Sequence, residues 1–249
     1  MRRPLAILLL LPLVLLTVLL PFVGWAAPAF VQSSSNSVAT GTSVSTAYPS
    51  NVTAGNLLVG CIFSDVGVTG VSGSIGGQTW SLVSANTDGA TFTFGMYYFP
   101  NTAGGANTIT ATLSGTTAYT HLILGEWNGV DPAPLDQKTN QFQAAPGTGT
   151  DAVTSGNVTT TTDGQLIVGC GNSMTYEADQ LSAGTGFTIR QSHFGDNPME
   201  DRIQTSAGSI AATFTSTSAT NNYVPIVGTF KAAAVAGTPY FGARLRGAY

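Results

Sequence analysis

The sequence predicts an all-β protein: a single antiparallel β-sandwich of jelly-roll or concanavalin-like type, made of two similar halves behind an N-terminal export segment. Three observations carry this. Apolar residues come in short bursts that alternate with Ser and Thr, the period that puts every second side chain of a strand on one face. Gly, Asn and Pro separate the bursts and mark turns. One burst is nearly copied. Asn51-Val52-Thr53 leads through a turn to Leu57-Leu58-Val59-Gly60-Cys61, and Asn157-Val158-Thr159 leads through a turn to Leu166-Ile167-Val168-Gly169-Cys170.

Composition agrees. Only 8% of residues are charged, against roughly a quarter in ordinary soluble domains, and the scarcity of Lys, Glu and Gln argues against long exposed helices. A hydrophobic share of 43% is too high for a disordered chain, so the surface is read as Ser, Thr, Gly and Asn. Eight basic residues against twelve acidic ones offer no phosphate-tracking surface, and nucleic acid is not expected as a partner.

Taken in order, Arg2 and Arg3 precede an apolar run over residues 5–23, followed by Ala26-Ala27-Pro28-Ala29. This is the layout of a secretory signal, assigned to residues 1–29. Cleavage before Phe30 is one option, and after Ala26 or Ala27 another. The alternative is an uncleaved anchor, because the run is nearly long enough to span a bilayer; residues 1–25 would then be the only membrane contact. The expected location is secreted or cell surface.

Residues 30–230 form the expected sandwich domain, with halves near 30–130 and 151–230, and residues 231–249 a flexible tail. Residues 30–50 fit one or two edge-like strands. Residues 57–63 are apolar on both faces, as in a strand covered on both sides. Gly76-Gly77 reads as a hairpin turn within residues 66–83. Phe92, Phe94, Met96 and Tyr98 share one face of the next strand. Residues 107–113 resume the alternation, and residues 119–127 close the half with Leu122 and Leu124 on one face and His121 and Ile123 on the other. Residues 130–156, rich in Pro, Asp and Gly, read as a long connection with one short strand. The second half then replays the first at residues 165–170, 184–189, 206–214 and 223–230, where Pro225 suggests an edge or bulge. Five or six strands in each half favour one shared core over two immunoglobulin-like domains, which need about seven each.

Cys61 and Cys170 occupy matching positions, on the faces of Leu57 and Val59 and of Leu166 and Val168. An oxidising compartment allows a disulfide between them; two buried free thiols acting as small hydrophobes are the alternative.

Residues able to carry chemistry are few. Two widely spaced histidines, His121 and His193, give no zinc signature, and no G-x-S-x-G elbow is present. His121 reads as a strand residue. His193, in a loop-like stretch, is a candidate ligand contact. Trp127, at a strand end beside Glu126, and Tyr176, in a polar loop, are the candidate exposed aromatics for stacking on a sugar. The expected ligand-binding set is therefore Trp127, Tyr176, Glu126 and His193. Asp196, Glu200 and Asp201 gather in a second loop-like stretch. Calcium, which takes carboxylate oxygens in flexible loops, is the one ion they suggest, and no other cofactor is expected. A glycosidase needs two facing carboxylates. No spacing selects a pair, so no catalytic residue is assigned.

Residues 35–60 (SNSVATGTSVSTAYPSNVTAGNLLVG), 76–83 (GGQTWSLV), 97–113 (YYFPNTAGGANTITATL), 124–136 (LGEWNGVDPAPLD) and 200–214 (EDRIQTSAGSIAATF) together resemble bacterial and phage-associated secreted β-sandwich modules of unassigned function. Those modules are similar to concanavalin-like or jelly-roll domains. The resemblance spans residues 31–230 and implies architecture. The E-x-D-x-x-E strand of concanavalin-like glucanases is missing, so their chemistry is not carried over. Two functions follow as expectations. The first is a non-catalytic extracellular module, structural or adhesive, with a glycan or protein partner. The second, less favoured, is a secreted hydrolase or lyase acting on polysaccharide.

Overall fold

The computed structural model describes residues 27–87, 92–145, 151–173, 180–218 and 221–234. Most of the expected leader, the candidate Tyr176 and the tail beyond residue 234 lie outside these residues. The first half holds β1 (Ala29–Val38), β2 (Gly41–Ala47), β3 (Leu57–Ser64), β4 (Val68–Gly73), β5 (Ser81–Thr87), β6 (Thr93–Phe99), β7 (Thr108–Thr117) and β8 (Thr120–Asn128). The second holds β9 (Val130–Asn140), β10 (Asp151–Thr154), β11 (Val158–Thr159), β12 (Gln165–Cys170), β13 (Leu181–Ala183), β14 (Thr188–His193), β15 (Asn197–Gln204), β16 (Ser209–Ile210), β17 (Thr213–Ser216) and β18 (Ile226–Ala232).

The two halves have one topology. A five-stranded sheet runs β1-β8-β3-β6-β5 in the first and β9-β18-β12-β15-β14 in the second. A three-stranded sheet runs β2-β7-β4 in the first and β10-β17-β13 in the second. Matched in chain order these are the same two sheets. The extra β11–β16 pair stands where the first half has a single bridge between Val52 and Gly105. The copied sequence is thus a copied fold.

Burial explains the layering. Along β3, Leu57, Val59, Cys61 and Phe63 face a central core shared with Leu166, Val168 and Cys170 of β12 and Ile226 and Phe230 of β18. Leu58 and Ile62, on the other face of β3, meet Val44, Val71 and Ile109 of the small sheet. Ile167 and Val227 do the same against Val153, Leu181 and Phe214. The result is four layers: two open five-stranded sheets face to face, each backed by a three-stranded one. That is why β3 and β12 are apolar on both faces. Phe94 and Met96 face the central core, with Phe92 and Tyr98 packed against it, as their alternation predicts.

The packing of the halves is that of a twofold axis. Edge strand β1 lies against β14, and β5 against β9, its counterpart. Each half therefore offers the same surface to the other, as in an isologous dimer. Equivalent glycines make this concrete. A Cβ added at Gly125 would lie 2.9 Å from Met199 Sδ, and one added at Gly228 would lie 3.0 Å from Met96 Sδ. The two sheets thus approach closely at both positions, and residue 125 is the tighter, since a Cβ there would also lie 2.3 Å from the Trp127 ring of its own strand.

Several expectations change. Each half has more than five or six strands, and each has its own outer core as well as the shared one. The connection after residue 130 opens with an eleven-residue strand, β9. It tolerates Pro132 and Pro134 because it is an edge strand, with register shifts where it meets β18. Gly76-Gly77 joins strands of two different sheets, β4 and β5, instead of a hairpin pair. Pro225 precedes β18, which is an interior strand between β12 and β9. Pro28 and Ala29, inside the expected leader, belong to the folded body: Pro28 is buried and Ala29 pairs with Asn128.

Candidate functional site

The two cysteines are joined. Cys61 and Cys170 form a disulfide across the central core, with Cα atoms 6.0 Å apart. Of the two readings open from sequence, the bridge is the one the fold adopts, since Cys61 of β3 and Cys170 of β12 both face the shared central core.

Trp127 is not an exposed aromatic. It is fully buried in the central core, and its Nε1–H donates to Asp201 Oδ2 at 2.6 Å. A ring of that size is buried when its one polar atom finds an acceptor. Glu126, on the opposite face of β8, is also fully buried. Its Oε1 accepts from the Thr53 backbone N–H at 2.8 Å and Asn56 Nδ2 at 2.6 Å, and its Oε2 from Gln32 Nε2 at 2.5 Å. Three donors hold the carboxylate in place and tie the turn before β3 to β8.

The presumed calcium loop is largely strand β15, and its acids do not converge. Glu200 and Asp201 are neighbours on a strand and face opposite sides. Glu200 points into the outer core of the second half, where its Oε2 accepts from the Gly184 N–H at 3.1 Å. Burial, and last the charge of Asp201, push its carboxyl up to about 8 against the backbone bonds from Gly184 and Thr213. Asp201 faces Trp127 instead. Asp196 is buried and accepts from Asn197 Nδ2 at 2.8 Å. Among the described residues no group of three or more His, Cys, Asp or Glu is placed to hold a metal ion.

The fold brings together the chain's two histidines. His121 of β8 and His193 of β14 meet across the interface of the halves with ring centroids 4.2 Å apart. Tyr119 lies 4.4 Å from His121, and Phe194 4.2 Å from His193. His121 is buried, and its Nδ1 meets Asn197 Nδ2 at 3.1 Å. Because that amide also donates to Asp196, the Nδ1 atom is the acceptor and the ring proton sits on Nε2. Burial, then the neighbouring His193, pull His121 down to about 3, and burial lowers His193 too. Both imidazoles are neutral near pH 7. Phe194 takes a left-handed backbone, φ 53°, rare for a bulky residue. It borders a cavity of about 190 Å³ with Tyr119, Ser37 and Val38.

A larger groove of about 370 Å³ opens at the other end of the same interface, between the start of β1 and strands β14 and β15. Pro28, Phe30, Thr188, Arg190, Arg202 and Ile203 line it. Arg190 Nε donates to Asp201 Oδ1 at 2.8 Å, and its guanidinium lies 4.8 Å from the centroid of Phe30. Phe30 in turn meets Trp127 edge-on at 5.8 Å. Trp127, Asp201, Arg190 and Phe30 thus form one chain of contacts from core to groove.

No family model, curated protein or solved structure matches this chain. The internal comparison between halves is therefore the informative one. Cys61 pairs with Met96 and Ile123, and Cys170 with Met199 and Ile226. Counting from these puts Trp127 opposite Phe230 and Asp201 opposite Tyr98, and these counterparts also touch, as tilted rings with centroids 5.8 Å apart. By the same count Val224 and Asn86 stand where the second site has His121 and His193. Val83 and Phe99 stand where it has Arg190 and Arg202. Both unusual clusters thus exist on one side only of the pseudosymmetric molecule.

Sequence reasoning missed Arg190 and Arg202 as site residues. Their signal was rarity: the described residues hold four basic side chains in all, Lys138, Arg190, Arg202 and Lys231.

Proposed function

We propose that this chain is a non-catalytic extracellular module, structural or adhesive, with glycan as the ligand class, and that its four layers are a doubled sandwich of jelly-roll or concanavalin-like type. The observation that carries the reading is the disulfide across the central core, joining equivalent strands of the two halves. Such a bond persists in an oxidising compartment, in keeping with the apolar run at the N-terminus and the uncharged polar surface. The carboxylates support it further. Glu126 is saturated by three donors, and Asp201 is held by Trp127 and Arg190. Glu200 has the raised affinity for protons that a general acid needs, which is the one feature favouring a hydrolase. It is fully buried in an outer core, away from both cavities.

The test is retention against turnover. The exported protein is incubated with insoluble and gel-immobilised polysaccharides, and bound protein and new reducing ends are measured together. The reading expects protein retained by at least one glycan with no new ends. Release of reducing ends that stops in Glu200→Gln establishes the hydrolase instead.

A further inference from the structure

Positive charge is scarce among the described residues, and half of it is in one place. Two of the four basic side chains among the described residues line the groove of about 370 Å³. Charges that only keep a protein soluble are scattered, so convergence calls for a cause. The fold does not need arginine there, because the equivalent positions of the first half hold Val83, buried in the central core, and Phe99, packed against the outer one.

The two guanidinium groups are also underused. Arg190 is fixed by its Nε–H to Asp201, by the ring of Phe30 beneath it, and by Ser33 Oγ donating to its carbonyl at 3.0 Å. Its Nη groups have no bond among the described residues. Arg202 makes one long hydrogen bond, Nη1 to the Thr185 carbonyl at 3.5 Å, and its guanidinium lies 5.8 Å from the centroid of Phe187, which leaves its other N–H donors unbonded among the described residues. A rigid guanidinium with a free edge matches the two oxygens of a carboxylate. Asp201 borders the groove as well, but Trp127 and Arg190 already hold it, leaving Arg202 as positive charge in excess. Pro28, Phe30 and Ile203 supply an apolar wall suited to the C–H face of a sugar ring, and Thr188 supplies a hydroxyl. The volume falls in the range of about 300–1,000 Å³ usual for small-ligand sites.

We propose that this groove binds a uronate residue of an acidic polysaccharide, its carboxylate held by Arg190 and Arg202 and its ring against Phe30. The inference rests on the glycan-binding reading above and specifies the class of glycan.

The experiment measures binding of the full exported chain to polygalacturonate, to neutral dextran and to dextran sulfate, with melting temperatures recorded for each variant. Polygalacturonate should be retained and dextran not. Arg202→Gln should weaken retention about tenfold or more, the loss of one charge-assisted pair. Arg190→Lys keeps the charge but loses the fork, and should weaken it comparably. Lys138→Gln and Lys231→Gln should change it by less than about twofold, as charges remote from the contact do. Wild-type affinity in a folded Arg202→Gln variant overturns the proposal, as does dextran bound as tightly as polygalacturonate. Dextran sulfate bound equally well, with equal losses from the lysine variants, also overturns it in favour of diffuse charge. Retention of no polymer does the same. Reducing ends are measured in parallel, so their release would count against the non-catalytic reading separately from the arginine results.

Discussion

Trp127 and Glu126 are adjacent on β8, face opposite sides and are both fully buried, each because a polar atom finds partners far along the chain. Asp201, which accepts from Trp127, is 74 positions away. Trp127→Phe should keep most of the ring contacts and leave the Asp201 oxygen without its donor. A loss of about 1–3 kcal/mol is expected, read as a lower midpoint in urea unfolding. Glu126→Gln turns an acceptor of three bonds into a group that faces at least one donor with another. A loss of about 2 kcal/mol is expected in the same assay. At this scale the sequence was hard to read. Glu126-Trp127 stands at a strand end beside Asn and Gly, which suggests exposure, and nothing local reveals the buried acceptor or donors. Arg190 and Arg202 were visible letters, but only the pairing of β14 with β15 brings them to one groove.

At the scale of strands, the close approach of the two five-stranded sheets depends on Gly125 and Gly228. Gly125→Ala should overpack the shared core by about 1–3 kcal/mol, and Gly228→Ala by less, because a Cβ at 125 would lie 2.3 Å from the Trp127 ring whereas one at 228 would lie no nearer than 3.0 Å to any neighbour. A larger loss at 228 than at 125 in urea unfolding would count against this reading. The disulfide joins β3 and β12 over a separation of 109 residues. Its reduction should cost about 2–5 kcal/mol, measured as the shift in denaturation midpoint with and without reductant. The interior strands were legible: β6 through its alternation, and β3 and β12 through apolar residues on both faces. Strand β9 was not, since prolines and aspartates suit an edge strand and a loop alike.

For the whole molecule, His121 and Glu200, buried on different layers, carry opposing pH trends, and His193, also lowered, adds to the first. His121 lies at about 3 in the folded chain against an ordinary 6.5, so its contribution is present above 6.5 and is lost as pH falls toward 3. Glu200 lies at about 8 against an ordinary 4.5, so its contribution is full below 4.5 and is lost as pH rises through 8. The two trends oppose each other between 4.5 and 6.5, where thermal stability should be broadest. Glu200→Gln should remove much of the alkaline fall and leave the acid one, and melting curves across pH check both limbs. The duplication was the part of the architecture most legible in the chain, because four matching stretches recur in order. The layering was not, because periodicity says which residues are buried but not against what.

The bridge between Cys61 and Cys170 also bears on ancestry. Each cysteine holds the same place in its half, so a half-length forebear that paired with its own copy needed a single cysteine codon to supply both ends of the bond. Fusion of two such genes would turn a tether between molecules into a loop within one. From then on the two copies could diverge independently, and one could take up arginine where its sister kept valine and phenylalanine.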